Sequence, residues 1–206
     1  MSRNRGPRVK VMRALGVELP GLSRKSIERR PFPPGQHGAT RRRKLSDFGR
    51  QMVEKQKIKM NYGLSERPLR RLVKEAFRSR GVYAEKLIEL LERRLDNVIF
   101  RAGLAPTIPA ARQLVAHGHI LVNGKRVDIP SYSVALNNEI TVKEKSKTLP
   151  IIVSTLEAPP IGRPTWIDLD QAKLTAKIVA MPDAQSVPFP VNVGDVIEYY
   201  SRRISK

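Results

Sequence analysis

The residue types able to do chemistry are few here, and their spacing favours gripping anions over breaking bonds. His117-Gly118-His119 holds two of the chain's 3 histidines. On an extended segment two histidines so spaced share a face, as metal ligands do. No third ligand accompanies them nearby, so no metal is expected, and none of the chain's chemistry calls for a cofactor. The absence of cysteine removes disulfides, thiolate metal sites and thiol nucleophiles. Arg94-Leu95-Asp96 sets a carboxylate beside a guanidinium inside an apolar helical stretch, where it reads as a helix-organising residue paired with an Arg. There is no phosphate-cradling Gly loop, Ser-His-Asp arrangement or metal-binding carboxylate cluster. What remains is a set of cations, amides and imidazoles on helices and turns: Arg94, Arg112, Gln113, His117, His119, Asn123, Lys125 and Arg126. Such groups bind phosphate, and helix N-termini assist them.

The elements that must position them run from Arg94 to Val142. An apolar helical segment, Leu95 to Ala102, is closed by Gly103. In a second helix Thr107 serves as N-cap, Pro109 fits the first turn, and Ala110, Ala111, Leu114 and Val115 supply the apolar side. Ile120-Leu121-Val122 and Lys125-Arg126-Val127 flank Asn123-Gly124. Asn-Gly between such runs is a strong hairpin signal because both residues tolerate positive φ. Ile140-Thr141-Val142 adds a third strand after a turn at Asn137-Asn138. Two short helices on a small sheet, with basic groups on the turns, form a platform suited to RNA. Aromatic residues make up 5% of the chain. Phosphate contacts reading RNA shape are therefore expected, not broad base stacking.

The charge of the whole chain agrees. Net charge is +20, which demands a polyanion nearby. Residues 1–60 hold 17 Lys or Arg against 4 Asp or Glu, whereas residues 151–206 hold 6 of each. Cations that only kept a surface soluble would not be so unevenly spread. No apolar run approaches the length of a membrane span, no apolar face adjoins the basic arm, and no signal peptide is visible. A cytosolic, RNA-bound protein is expected.

Residues 1–44 have little periodicity and many breakers, including Pro31-Phe32-Pro33-Pro34-Gly35. They read as an extended basic arm that orders along phosphates through Arg3, Arg5, Arg8, Arg29, Arg30, His37, Arg41, Arg42, Arg43 and Lys44. Three amphipathic helices follow: Ser46-Asp47 to about Met60, Ser65-Glu66 to Gly81, and Tyr83 to Arg93. Thr148 to Glu157 is a short helix or a strand, and Trp166 to Asp170 and Leu174 to Val179 alternate as strands. Asn192 caps a last helix, Val193 to Arg202. The fold class is α+β: arm 1–44, a helical domain 45–93 completed by 191–206, and an inserted domain 94–190. The RNA-binding module of the inserted domain spans 94–156.

Two stretches carry a resemblance. Arg29-Arg30-Pro31-Phe32-Pro33-Pro34-Gly35-Gln36-His37-Gly38 resembles the hallmark of the bacterial-type family of small-subunit ribosomal protein number four. Arg94-Leu95-Asp96-Asn97-Val98, Ala111-Arg112-Gln113-Leu114-Val115, His117-Gly118-His119, Val122 to Val127 and Pro130-Ser131-Tyr132 resemble that family's RNA-binding domain. The ending Glu198-Tyr199-Tyr200-Ser201-Arg202 is similar too. The resemblance implies a structural, non-catalytic constituent of the small ribosomal subunit. It implies primary binding of small-subunit ribosomal RNA at a multi-helix junction, a part in nucleating assembly, and a contribution to translational accuracy. The implied partners are that RNA and neighbouring small-subunit proteins, especially number five, with no membrane and no DNA. The implied place is the ribosome, cytoplasmic or in a plastid stroma.

Many relatives carry a zinc-binding cysteine cluster in the arm. Here Val11, Leu15 and Leu22 occupy that region, as in the family's cysteine-free branch. The alternative is an RNA-modifying enzyme of pseudouridine synthase type, since those enzymes place a catalytic Asp in an Arg-Leu-Asp setting and many share the module. No segment here is long enough to add their catalytic domain.

Overall fold

The computed structural model describes residues 6–40, 44–183 and 186–204. The chain divides into two compact units, one of Met1–Leu87 with Val187–Lys206 and one of Ile88–Ser186.

The first unit is helical. Helices α1 (Arg8–Leu15), α2 (Asp47–Asn61) and α3 (Glu66–Arg78) are followed by α4 (Tyr83–Glu92), within which the unit boundary falls. The last helix, α8 (Val193–Ile204), returns to pack on α2 and α3. Local chemistry sets the helix ends. Ser46 Oγ accepts from Gly49 N at 3.2 Å, and Asn192 Oδ1 accepts from Asp195 N at 3.3 Å. Leu69, Val73 and Ala76 fall on one side of α3 and are buried together with Ile58, Tyr62, Val196 and Tyr200.

Polar ties hold α8 in place. Tyr200 donates to Glu66 Oε1 at 2.6 Å, while Lys55 and Lys59 reach Glu66 Oε2 at 3.1 and 3.3 Å. Burial alone would raise the Glu66 carboxyl. The bonds from Tyr200, Lys55 and Lys59 outweigh it and hold that carboxyl below its usual range. The same burial and the bond to Glu66 push the Tyr200 phenol above its ordinary value.

The arm departs from its expected extended form. Arg8–Leu15 is an α-helix, ended by Gly16 in the left-handed region at φ 67. Met12 and Leu19 are fully buried and Leu22 nearly so, and α1 packs on α2. Gly21 N donates to Asn61 Oδ1 at 2.9 Å, tying the segment down. Three dispersed apolar residues cannot make a core alone, but they complete one supplied by a partner helix.

The second unit is α+β. Helices α5 (Leu95–Arg101) and α6 (Ile108–Ala116) precede strands β1 (Ile120–Val122), β2 (Lys125–Arg126) and β3 (Glu139–Val142). A single 3-10 turn at Glu144–Ser146 leads to α7 (Pro150–Glu157), then β4 (Ile167–Asp170) and β5 (Thr175–Ile178). All strands pair antiparallel, in the order β2-β1-β3-β5-β4. The small sheet expected within 94–156 therefore takes two further strands from beyond that module, through pairs such as Ile140↔Ala176. Ile120, Val122, Ile140, Val142, Ala176 and Ile178 alternate inward. The ambiguous stretch before Glu157 is helical because Pro150 opens α7, where its missing N–H removes no bond.

Candidate nucleic-acid interface

The platform is built on two buried carboxylates. Asp96, with no exposed surface, sits in the first turn of α5 and accepts from both nitrogens of the Arg94 fork, at 3.1 and 2.9 Å. Arg112, on α6, approaches the same carboxylate with Nε at 3.1 Å and Nη2 at 2.6 Å. Asn97 N adds a fifth bond at 3.0 Å. The second carboxylate, Glu92, is also fully buried. It accepts from Asn97 Nδ2 at 3.0 Å and faces Arg101 Nε at 3.4 Å. Two anions thus hold three arginines and fasten α5 to α6. An uncompensated charge at such a site costs about 3–5 kcal/mol.

This geometry changes the meaning of two residues expected on the RNA. Arg94 is 7% exposed and its fork is committed to Asp96. The Arg112 side chain is 20% exposed and bonds to Asp96 through Nε and Nη2. Both are first of all structural. It also closes the enzymatic alternative's chemistry, because a carboxylate wholly buried under two guanidinium groups cannot reach a base.

The open cations lie at the hairpin. Asn123 and Gly124 take φ 49 and 76, the positive pair a two-residue turn requires. Asn123 is occupied with this geometry: Glu139 N donates to its Oδ1 at 2.9 Å and its Nδ2 donates to Asn138 Oδ1 at 3.2 Å. Lys125 and Arg126 project from β2 into solvent, and neither forms an ion pair among the described residues. Arg126 lays its guanidinium across Gly118, whose φ is 74, and any Cβ there would overlap it. The hairpin and the end of α6 are thereby joined. Gln113 and His117, one turn apart, stand exposed on that end of α6. His119 is half-buried, with Nδ1 2.8 Å from Ser146 Oγ. The two imidazole centroids are 6.1 Å apart, and no group of three metal-ligating side chains occurs among the described residues. Arg126 is brought to the end of α6 that carries Gln113 and His117, and Lys125 stands exposed beside it on β2.

In the first unit Arg8, Arg29, Arg30, His37 and Lys44 are exposed, as expected for the arm. Arg8 also donates to Leu22 O at 3.3 Å. Arg3, Arg5, Arg41, Arg42 and Arg43 lie outside the described residues. The Pro-rich loop is shaped by Arg13, whose Nε donates to Phe32 O at 3.0 Å and whose guanidinium lies 5.4 Å from the Phe32 ring centre. Gly38 closes the loop against the Pro33 carbonyl so tightly that a Cβ would overlap it.

Sequence reasoning missed the structural weight of Glu92 and Arg101, which an i, i+9 spacing does not signal. The basic faces of the three amphipathic helices, α3 among them, read in the sequence as partly RNA-facing, with no individual cation on them singled out.

The second unit ties α5 to α6 and carries a cationic hairpin, and the first unit exposes basic side chains, an arrangement suited to a polyanion. Residues 3–92 match the model of the Ribosomal protein S4/S9 N-terminal domain, and residues 93–140 match that of the S4 domain. A protein of Methylobacillus flagellatus named Small ribosomal subunit protein uS4 is 58% identical over 99% of this chain and 100% of its own length. Proteins of the same name from Cyanothece and Pelodictyon phaeoclathratiforme are 48% and 46% identical, over 99% and 98% of this chain and 100% of theirs. The chain belongs to the family of small ribosomal subunit protein uS4, whose members are structural and not catalytic.

Proposed function

We propose that this protein is a structural constituent of the small ribosomal subunit that holds folded ribosomal RNA through its phosphate backbone. The observation that carries this reading is the separation of cations in the second unit. Arg94, Arg101 and Arg112 lie on buried carboxylates, whereas Lys125 and Arg126 stand open on a hairpin that Gly118 docks to α6. The rigid inner set positions the outer set. The basic arm, with Arg29, Arg30, His37 and Lys44, supplies a further line of phosphate contacts.

The RNA contacted is a multi-helix junction, as the family resemblance implies, held through backbone and shape and not base sequence. Early binding there nucleates subunit assembly, and the fixed junction contributes to translational accuracy. Neighbouring small-subunit proteins, number five among them, complete its surroundings. RNA, and not DNA or a membrane surface, is its polyanion. Among the described residues no helix is long and apolar enough to cross a membrane.

A filter-binding titration of the full chain against small-subunit ribosomal RNA tests this. Affinity falls steeply as KCl rises if several phosphates are neutralised. A flat profile sinks the reading.

A further inference from the structure

The exposed side of α3 carries a cation row that the hairpin and the arm leave unused. Arg67, Arg71, Lys74 and Arg78 recur at i, i+4, i+7 and i+11. With 3.6 residues per turn they fall in one stripe roughly 60° wide and roughly 16 Å long. All four are exposed, while Leu69, Val73 and Ala76 on the opposite side are buried. The orientation of the row is therefore fixed by the core beneath it.

Among the described residues no carboxylate pairs with the row. None of the four forms an ion pair or hydrogen bond among the described residues. On α2, by contrast, Arg50, Lys55, Lys57 and Lys59 all face carboxylates. The acid at the start of α3, Glu66, is taken by Lys55, Lys59 and Tyr200. Glu75 is exposed beside the row and bonds to none of its members. Like charges three and four residues apart destabilise a helix. Arg67 with Arg71, Arg71 with Lys74, and Lys74 with Arg78 are such pairs, and an external polyanion would relieve all three.

We propose that this row is a third phosphate-binding surface, taking a backbone segment of the ribosomal RNA separate from those held by the hairpin and the arm. The proposal rests on the reading that the protein binds ribosomal RNA.

Its test is a full-length variant with R67Q, R71Q, K74Q and R78Q, since Gln keeps helix propensity while removing charge. In filter binding to small-subunit ribosomal RNA over a KCl series, each lost phosphate contact lowers the log–log salt slope by about 0.7–0.9, so a slope smaller by about 3 is expected. A steep wild-type slope matched by the variant, with helical circular dichroism intact, overturns the row alone. A flat wild-type slope overturns the RNA reading itself. A second measurement needs no variant: acetylation of Lys74 in the wild-type chain, free and RNA-bound. Protection by RNA alone supports the proposal. Equal labelling overturns it, as does protection that appears only after other subunit proteins are added.

Discussion

The two units use the same residue type in opposite ways. In the second, three arginines serve the interior: Arg94, Arg101 and Arg112 are turned onto Asp96 and Glu92, which have no exposed surface. In the first, most cations among the described residues lie outside, and Lys55, which is buried, is matched by Glu66 and by the Tyr199 ring 4.9 Å away. A count of Lys and Arg cannot separate these roles. What separates them is a carboxylate already desolvated by the core, which makes a buried guanidinium obligatory, whereas an exposed row with which no carboxylate pairs has no internal partner to order it.

The largest expected effect breaks the interior set. Asp96→Ala leaves two guanidinium groups unpaired beside the core, and urea unfolding is expected to show a loss of about 3–5 kcal/mol. A loss below about 1 kcal/mol would mean that Arg94 and Arg112 find other partners and that the contrast between the units is shallow.

Next comes the arm. Leu19→Ala removes a fully buried side chain and is expected to cost about 2–5 kcal/mol. Hydrogen exchange at Gly21 N, bonded to Asn61, is expected to quicken in that variant. Unchanged stability and exchange would mean that the arm is not held by the core of the first unit.

At the hairpin, Lys125→Gln with Arg126→Gln is expected to leave unfolding unchanged. Two lost phosphate contacts should reduce the salt slope for ribosomal RNA by about 1.5. A stability loss as large as that of Asp96→Ala would place these two residues with the interior set.

The smallest effect is a pH dependence in the first unit. The folded-state Glu66 carboxyl lies below its ordinary value of 4.5. Its contribution is therefore complete above that value and is lost as pH falls through the lower folded one. The acid limb of the unfolding midpoint is expected to flatten in Glu66→Gln. Tyr200 has the opposite sign: raised above 10.0, it stabilises the folded state below that pH and ceases to as the solution grows strongly alkaline. An ultraviolet titration of Tyr200→Phe is expected to lose the late-ionising phenol and keep the ordinary ones.

Much of the scaffold was legible because its signals are local. Ser46, Thr107 and Asn192 cap helices within three residues of their partners, and Asn123-Gly124 encodes its turn alone. Asp96 was readable as an organiser because Arg94 lies two residues away. The candidate interface was only partly legible. Arg94, Arg112 and Asn123 were expected to face RNA, yet each is engaged inside the protein, by partners up to 16 residues distant. The buried segment of the arm was illegible because Met12, Leu19 and Leu22 have no periodicity, and Asn61 lies 40 residues from Gly21.

The sequence by itself determined the helices, the hairpin, the polyanion partner and the family, since these follow from caps, turn residues, net charge and contiguous motifs. Tertiary structure alone decided which cations remain open. Whether a guanidinium meets a carboxylate or a phosphate depends on desolvation, and desolvation exists only once distant segments have packed.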